Sequence, residues 1–281
     1  MTGARHFWSR HPELHNRVGL AGAIIIGITV IVAVAAPVLA PYEPSSQAHA
    51  RLLPPSLKNL MGTDELGRDT FSRVIYGARA SLVVGALAVT IALVIGSSLG
   101  LISGFRGGRL DDWLMRLVDI MFAFPGLVLA IVIAGLLGPS RVNAMIALGI
   151  VYAPAFARVV RGSVLVVMGA PYMEAARVIG ASDWRVVSRH IVPNIVAPII
   201  VLGSLYLSTA ILSEAALSFL GLGTQPPEPS WGGMLSSARS YMELAPAMAI
   251  FPGLAIMVVV LGFNFLGDGL RDALDPRLRT P

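Results

Sequence analysis

Few residues in this 281-residue chain have the types and spacing that catalysis demands. Gly96-Ser97-Ser98-Leu99-Gly100 matches the G-x-S-x-G pattern that presents a serine nucleophile on a sharp turn. Such a serine needs a base, and the 5 histidines (His6, His11, His15, His49 and His190) all lie outside the long apolar segments. Packing is the stronger reading, because Gly96, Gly100 and Gly104 recur every fourth residue and would let helix backbones approach closely in a bilayer. A P-loop requires a lysine followed by serine or threonine after a glycine-rich run, whereas Lys58, the sole lysine, sits between Leu57 and Asn59. No H-E-x-x-H occurs, and the absence of cysteine removes disulfides, thiolate metal sites and thiol nucleophiles. The chain is therefore expected to be non-catalytic and to bind no metal or cofactor of its own.

Charges inside apolar segments are the next candidates, since each costs about 2.5–3.5 kcal/mol at a span centre on insertion scales. Arg116 and Asp119 stand three residues apart, so mutual neutralisation on one helix face is expected. Glu214 stands alone near Ser213 and Ser218. It could line a pathway or pair with an arginine from another helix or subunit, and both readings stay open.

The elements that position these residues are set by composition. Apolar residues make up 55% of the chain and charged residues 13%, against about 25% charged in a soluble domain. The apolar residues fall in blocks of roughly 20, the length of a transmembrane helix. An N-terminal tail (1–18) precedes a first span at 19–40, longer than the h-region of a signal peptide and thus read as a retained anchor. Residues 41–79 form a polar segment ending in an amphipathic helix, with Leu66, Thr70, Val74 and Ala78 on one face, expected to lie on the membrane surface. A core of five further spans occupies 80–267, at about 81–103, 113–137, 142–167, 195–217 and 246–266, before a tail at 268–281. The arginine bias places both termini in the cytoplasm. The net charge of +5 thus reflects span orientation rather than nucleic-acid binding.

Residues 172–194 interrupt the fourth and fifth spans with a polar segment. Tyr172 to Ile179 reads as a short helix stopped at Gly180, the residue best suited to a left-handed C′ position. Ser182 or Asp183 can cap a second helix, which Pro193 is expected to end. The result is a cytoplasmic elbow whose first helix offers Ala175 and Ala176 beside Glu174, a surface suited to a partner's groove.

Glu174-Ala175-Ala176, Gly180, Ile191 and Pro193 resemble the EAA loop of permease subunits of ABC importers. Val192 replaces the consensus leucine, and His190 stands where many relatives have isoleucine. Met61-Gly-Thr-Asp-Glu-Leu-Gly-Arg-Asp69 with Tyr76-Gly-Ala-Arg79 resembles the stretch before the second span of DppC/OppC-type permeases. Leu217-Ser-Phe-Leu-Gly-Leu-Gly223 with Trp231-Gly232, and Asp275-Pro276-Arg277, are similar to their outer loop and C-terminal tail. The resemblance implies an all-α integral membrane protein of six transmembrane helices, the type I ABC importer domain with a cytoplasmic coupling-helix loop. That loop would include Glu174, Ala175, Ala176, Gly180, Ala181, Asp183, Arg185 and Pro193. It further implies a bacterial plasma-membrane importer of dipeptides or oligopeptides. A second permease subunit of the DppB/OppB type, one or two ATPase subunits holding ATP and Mg, and an extracytoplasmic substrate-binding protein would complete it. Nickel chelates or glutathione are the alternative cargo, and a self-contained secondary transporter or channel using Asp119 or Glu214 is the rival class.

Overall fold

A computed structural model describes residues 12–274, apart from the side chains at 12–16 and 177. The tail residues Arg5, Arg10, Arg277 and Arg279, and the motif Asp275-Pro276-Arg277, lie outside it. Helices α1 (Pro12–Val34) and α2 (Ala36–Leu39) lead into an irregular segment, after which α3 runs without a break from Thr70 to Arg106. There follow α4 (Gly108–Phe122), α5 (Gly126–Leu137), α6 (Arg141–Met168), α7 (Pro171–Val178), α8 (Asp183–Val186), α9 (Val192–Phe219), α10 (Trp231–Ala238) and α11 (Ala247–Leu274). Among the described residues there is no strand, only one isolated bridge between Thr63 and Asp69. The chain is all-α, and five of its continuous helices are long and apolar enough to cross a bilayer.

Three expectations change. Residues 113–137 do not form one straight span: α4 and α5 meet at a bend of 92°. Pro125 caps α5 and supplies no N–H, while Phe124 before it is steered away from the helical region. Hydropathy runs on across this point, so the break is invisible to a window average. Second, no separate surface helix covers 66–80. Thr70 to Ala80 are the first turns of the 37-residue α3, whose N-cap Asp69 accepts from the Ser72 N–H at 2.8 Å. At 1.5 Å per residue α3 is about 55 Å long, well beyond the roughly 30 Å hydrocarbon core, so its first turns project beyond it. Third, Pro193 does not end the second elbow helix. A π turn at Val187–Ile191 joins α8 to α9, with the Val192 N–H donating to the Val187 carbonyl. The wider turn accommodates a proline where an α-helix would need an N–H.

The core is built on close backbone approach. α3 and α6 pack along the glycine stripe: a Cβ added at Gly96 would collide with the Ala153 carbonyl, and one at Gly100 with the Ala157 carbonyl. At Gly104 it would stand 2.9 Å from Val164 Cβ. Buried Ala88, Ala92, Ala144, Ala147 and Ala210 continue the small-residue interface, with Leu148 and Phe156 filling the gaps. The N-terminal α1 packs on α11, where Gly19 meets Gly269 and Gly22 meets Leu266. Outward-facing Leu20, Ile24, Ile28 and Ile31 leave an apolar surface of the kind that lipid solvates.

Candidate functional site

The elbow has the helix–glycine–helix form its sequence demands. In α7, Met173 is buried against Val164, Val167, Val186, Ile191 and Ile195, which fastens the short helix to α6 and α9, and Ala176 is buried as well. Gly180 takes φ +75°, and the Ala181 N–H reaches back to the Ala176 carbonyl at 3.1 Å, closing a Schellman-type turn. Ser182 caps α8 by accepting from the Arg185 N–H at 3.4 Å. Glu174, Ala175, Gly180, Asp183, Arg185 and Pro193 are exposed, and Ala181 is half-buried. Ala176 differs from expectation, because its methyl group faces the protein. The free surface instead carries Glu174 and Ala175 with Tyr172, Val178, Ile179 and Trp184, the last 77% exposed. Among the described residues Glu174 has no ion-pair partner.

The intramembrane charges are arranged differently from their spacing. Asp119 pairs across helices with Arg158 at 2.6 Å, not with Arg116, and Arg158 also lies over the Phe122 ring at 4.2 Å. Arg116 sits beside the Trp113 ring at 6.0 Å instead. A bidentate pair that spacing could not reveal joins Asp111 of α4 to Arg161 of α6 at 2.6 and 2.5 Å, with the Ser103 hydroxyl donating to the same carboxylate. It ties α3, α4 and α6 together at the elbow end of the bundle. Glu214 is buried at 1% exposure, accepting from Ser81 Oγ at 2.9 Å and Ser218 Oγ at 2.7 Å. No arginine among the described residues contacts it, so here it links α3 to α9. Ser98 is exposed and donates to the Val94 carbonyl at 2.7 Å; no described histidine hydrogen-bonds to it.

At the opposite end, residues 41–69 fold into a cap around a charge network that sequence periodicity missed. Asp64 Oδ1 accepts from the Leu66 and Arg68 N–H groups, each at 2.9 Å, while Oδ2 meets Arg68 Nε at 2.6 Å and Arg73 Nε at 3.4 Å. Arg68 also reaches Glu65 at 3.0 Å, and Arg73 donates to the Pro44 carbonyl at 2.9 Å. Asn59 donates to Asp69 at 2.8 Å. The same end holds Trp231, whose Nε1 donates to the Val74 carbonyl at 2.9 Å, and Arg141, which pairs with Glu228 at 2.8 Å.

The chain matches two known family descriptions. Residues 96–280 match the binding-protein-dependent transport system inner membrane component, and residues 14–55 match the N-terminal TM domain of oligopeptide transport permease C. A dipeptide transport system permease protein DppC of Alkalihalophilus pseudofirmus is 48% identical over 94% of this chain and 88% of its own length. A di/tripeptide DppC of Pseudomonas aeruginosa is 46% identical over 98% and 93%, respectively. A glutathione transport system permease protein GsiD of Pectobacterium atrosepticum is 45% identical over 99% and 93%. Among solved structures, a chain of the inward-facing MetNI methionine ABC transporter superposes with TM-score 0.60 at 18% identity, covering 72% of this chain and 96% of that one. That last likeness concerns the fold, the type I importer permease fold.

This chain belongs to the binding-protein-dependent transport system inner membrane component family. Within that family it is a multi-pass membrane permease subunit of the DppC/OppC type.

Proposed function

We propose that this chain is one half of the transmembrane pathway of an ATP-driven ABC importer for dipeptides or oligopeptides. A second permease subunit, ATPase subunits that bind ATP and Mg, and an extracytoplasmic binding protein would complete the complex. The observation that carries the reading is the elbow: a short helix, fastened by Met173, ending at a left-handed glycine with its acidic and apolar surface uncovered. A part that transmits force must be rigid within itself and free on its outer face, and α7 satisfies both. The peptide cargo rests on the dipeptide and di/tripeptide permeases the chain resembles, with glutathione, itself a small peptide, as the nearest alternative. In this reading the elbow faces the cytoplasm, as do both termini. Arg106, Arg109, Arg158, Arg161, Arg185, Arg189 and Arg271 gather at or near that end, whereas Arg68 and Arg73 at the other end are neutralised by Asp64 and Glu65.

The mechanism is alternating access. ATP-driven closure of the ATPases would push on Glu174 to Gly180 and tilt α6 and α9, which meet at the elbow. Reconstitution is the direct test: the chain alone should be inert, and uptake of labelled dipeptide should require the partner permease, the ATPases and ATP. Transport by the chain alone, driven by an ion gradient, would refute the reading in favour of a secondary transporter. Glu174→Lys should abolish substrate-stimulated ATP hydrolysis while the protein still inserts.

A further inference from the structure

The cap end carries a cleft that the network around Asp64 leaves open. It measures about 420 Å³ and is lined by Pro44, Ser45, Tyr76, Arg79, Arg141 and Glu228, among others. That volume falls within the range of small-ligand pockets, about 300–1,000 Å³. Tyr76 and Arg79 stand three residues apart on α3, so both point from one face of the helix into the same space. Neither uses its polar end within the described protein: Arg79 makes no ion pair and the Tyr76 hydroxyl makes no hydrogen bond. Across the cleft Arg141 is already satisfied by Glu228. The Ser45 hydroxyl is likewise taken, by Glu43 at 2.5 Å. The cleft thus holds two arginines and one carboxylate, and the unanswered pair of donors is a guanidinium beside a phenol. A guanidinium fork matches a carboxylate bidentately, and a phenolic O–H can donate to a lone pair that the fork leaves unused. Three wall residues, Pro44, Pro227 and Pro229, fix the backbone φ at their positions on either side of the cleft.

We infer that Tyr76 and Arg79 form a carboxylate-receiving site at the extracytoplasmic mouth, which engages the free carboxylate of the solute as it enters the permease. The orientation, and the identification of that solute as a peptide, rest on the reading proposed above. Glu228 does for Arg141 what the solute carboxylate does for Arg79. The site therefore selects for a C-terminal or side-chain carboxylate and is indifferent to the remainder of the molecule.

The chain has no cysteine, so Ser45→Cys gives it a single thiol inside the cleft, whose modification in the assembled complex is read on this subunit alone after the subunits are separated. Its reaction rates with a sulfonate-bearing and an ammonium-bearing methanethiosulfonate reagent should favour the anion severalfold, and Arg79→Gln should bring the ratio close to that of a free thiol. Equal rates in the parent, or a ratio unchanged by Arg79→Gln, would overturn the site. The second arm is uptake of one dipeptide with a free and with an amidated C-terminus. Arg79→Gln should raise KM severalfold for the free acid only, while leaving kcat and binding-protein-stimulated ATP hydrolysis unchanged. An equal loss for both forms would mean that Arg79 receives an acidic side chain of the binding protein, which also overturns the proposal. If the parent complex imports neither form, the peptide reading fails, and the labelling ratio still decides the carboxylate site.

Discussion

Replacing Asp64 by alanine should unfold the cap locally without dismantling the helical bundle. The carboxylate is 5% exposed and collects two backbone N–H groups and two guanidinium groups. Its removal leaves Arg68 with Glu65 alone and Arg73 with only the Pro44 carbonyl among these partners, both side chains still buried. Breaking a buried pair from one side costs about 3–5 kcal/mol, because an uncompensated charge stays behind. Each 1.4 kcal/mol is tenfold, so the opening equilibrium of the cap should rise by roughly 10²- to 4 × 10³-fold. Hydrogen exchange in detergent or nanodiscs reads this directly. The reporter amides are those that hold the cap together: His49 to the Gly67 carbonyl, Leu52 to Asp64, Thr63 to Leu53 and Asp64 to Arg68. Their protection should fall together by that factor, while amides in the middle of α6 and α9 keep theirs. The exposed pair Asp119–Arg158 is the control, with its side chains 66% and 55% exposed, since such pairs contribute about 0–1 kcal/mol. If Asp64→Ala changed cap protection no more than Asp119→Ala does, the network would be incidental to the cap fold.

Two further outcomes follow from the helix contacts. Gly100→Leu should prevent α3 and α6 from closing, at a cost of at least the roughly 1–3 kcal/mol of overpacking, because the new Cβ collides with the Ala157 carbonyl; the measure is recovery of folded protein after detergent extraction. Ser98→Ala, facing outward two residues away, should leave both recovery and uptake at parental levels, and a lost activity would reopen the serine as a nucleophile. At the elbow, Gly180→Ala has open space for its methyl but must hold φ +75°, so a penalty of about 1–2 kcal/mol should appear as weakened coupling rather than failed insertion. Gly180→Pro cannot adopt that φ at all and should uncouple ATP hydrolysis from uptake, measured in the same reconstituted complex.

The features legible in the sequence are those with a local cause. Gly180 stops a helix because of its own backbone freedom, and Gly96, Gly100 and Gly104 mark a contact face through periodicity alone. The features that were not legible depend on residues distant in the chain. Asp111 and Arg161 are fifty positions apart, and nothing in either neighbourhood predicts the other. Asp119 has Arg116 at helical spacing, but Arg158 on a facing helix takes its carboxylate. The charges of residues 64–73 look like a solvated helix face under a periodicity search, whereas the fold turns them inward around Asp64. Pro125 and Pro193 are both conspicuous, yet one bends a span by 92° and the other sits within a continuous helix. The difference lies in the π turn beside Pro193, which no propensity scale anticipates.

That π turn makes a single shaft of residues 183–219, 37 residues or about 55 Å from the elbow to the outer surface. A shaft tilting by roughly 10° about its midpoint carries its two ends in opposite directions by about 5 Å. At the level of Glu214, some 20 Å from the midpoint by the same rise per residue, the sideways travel is about 3 Å. The Ser81–Glu214 hydrogen bond, 2.9 Å long, has no tolerance for such a displacement unless α3 travels with the shaft. A tilt of that size would therefore either break this bond or carry α3 along with it, at the far end of the element on which the cytoplasmic partner would push.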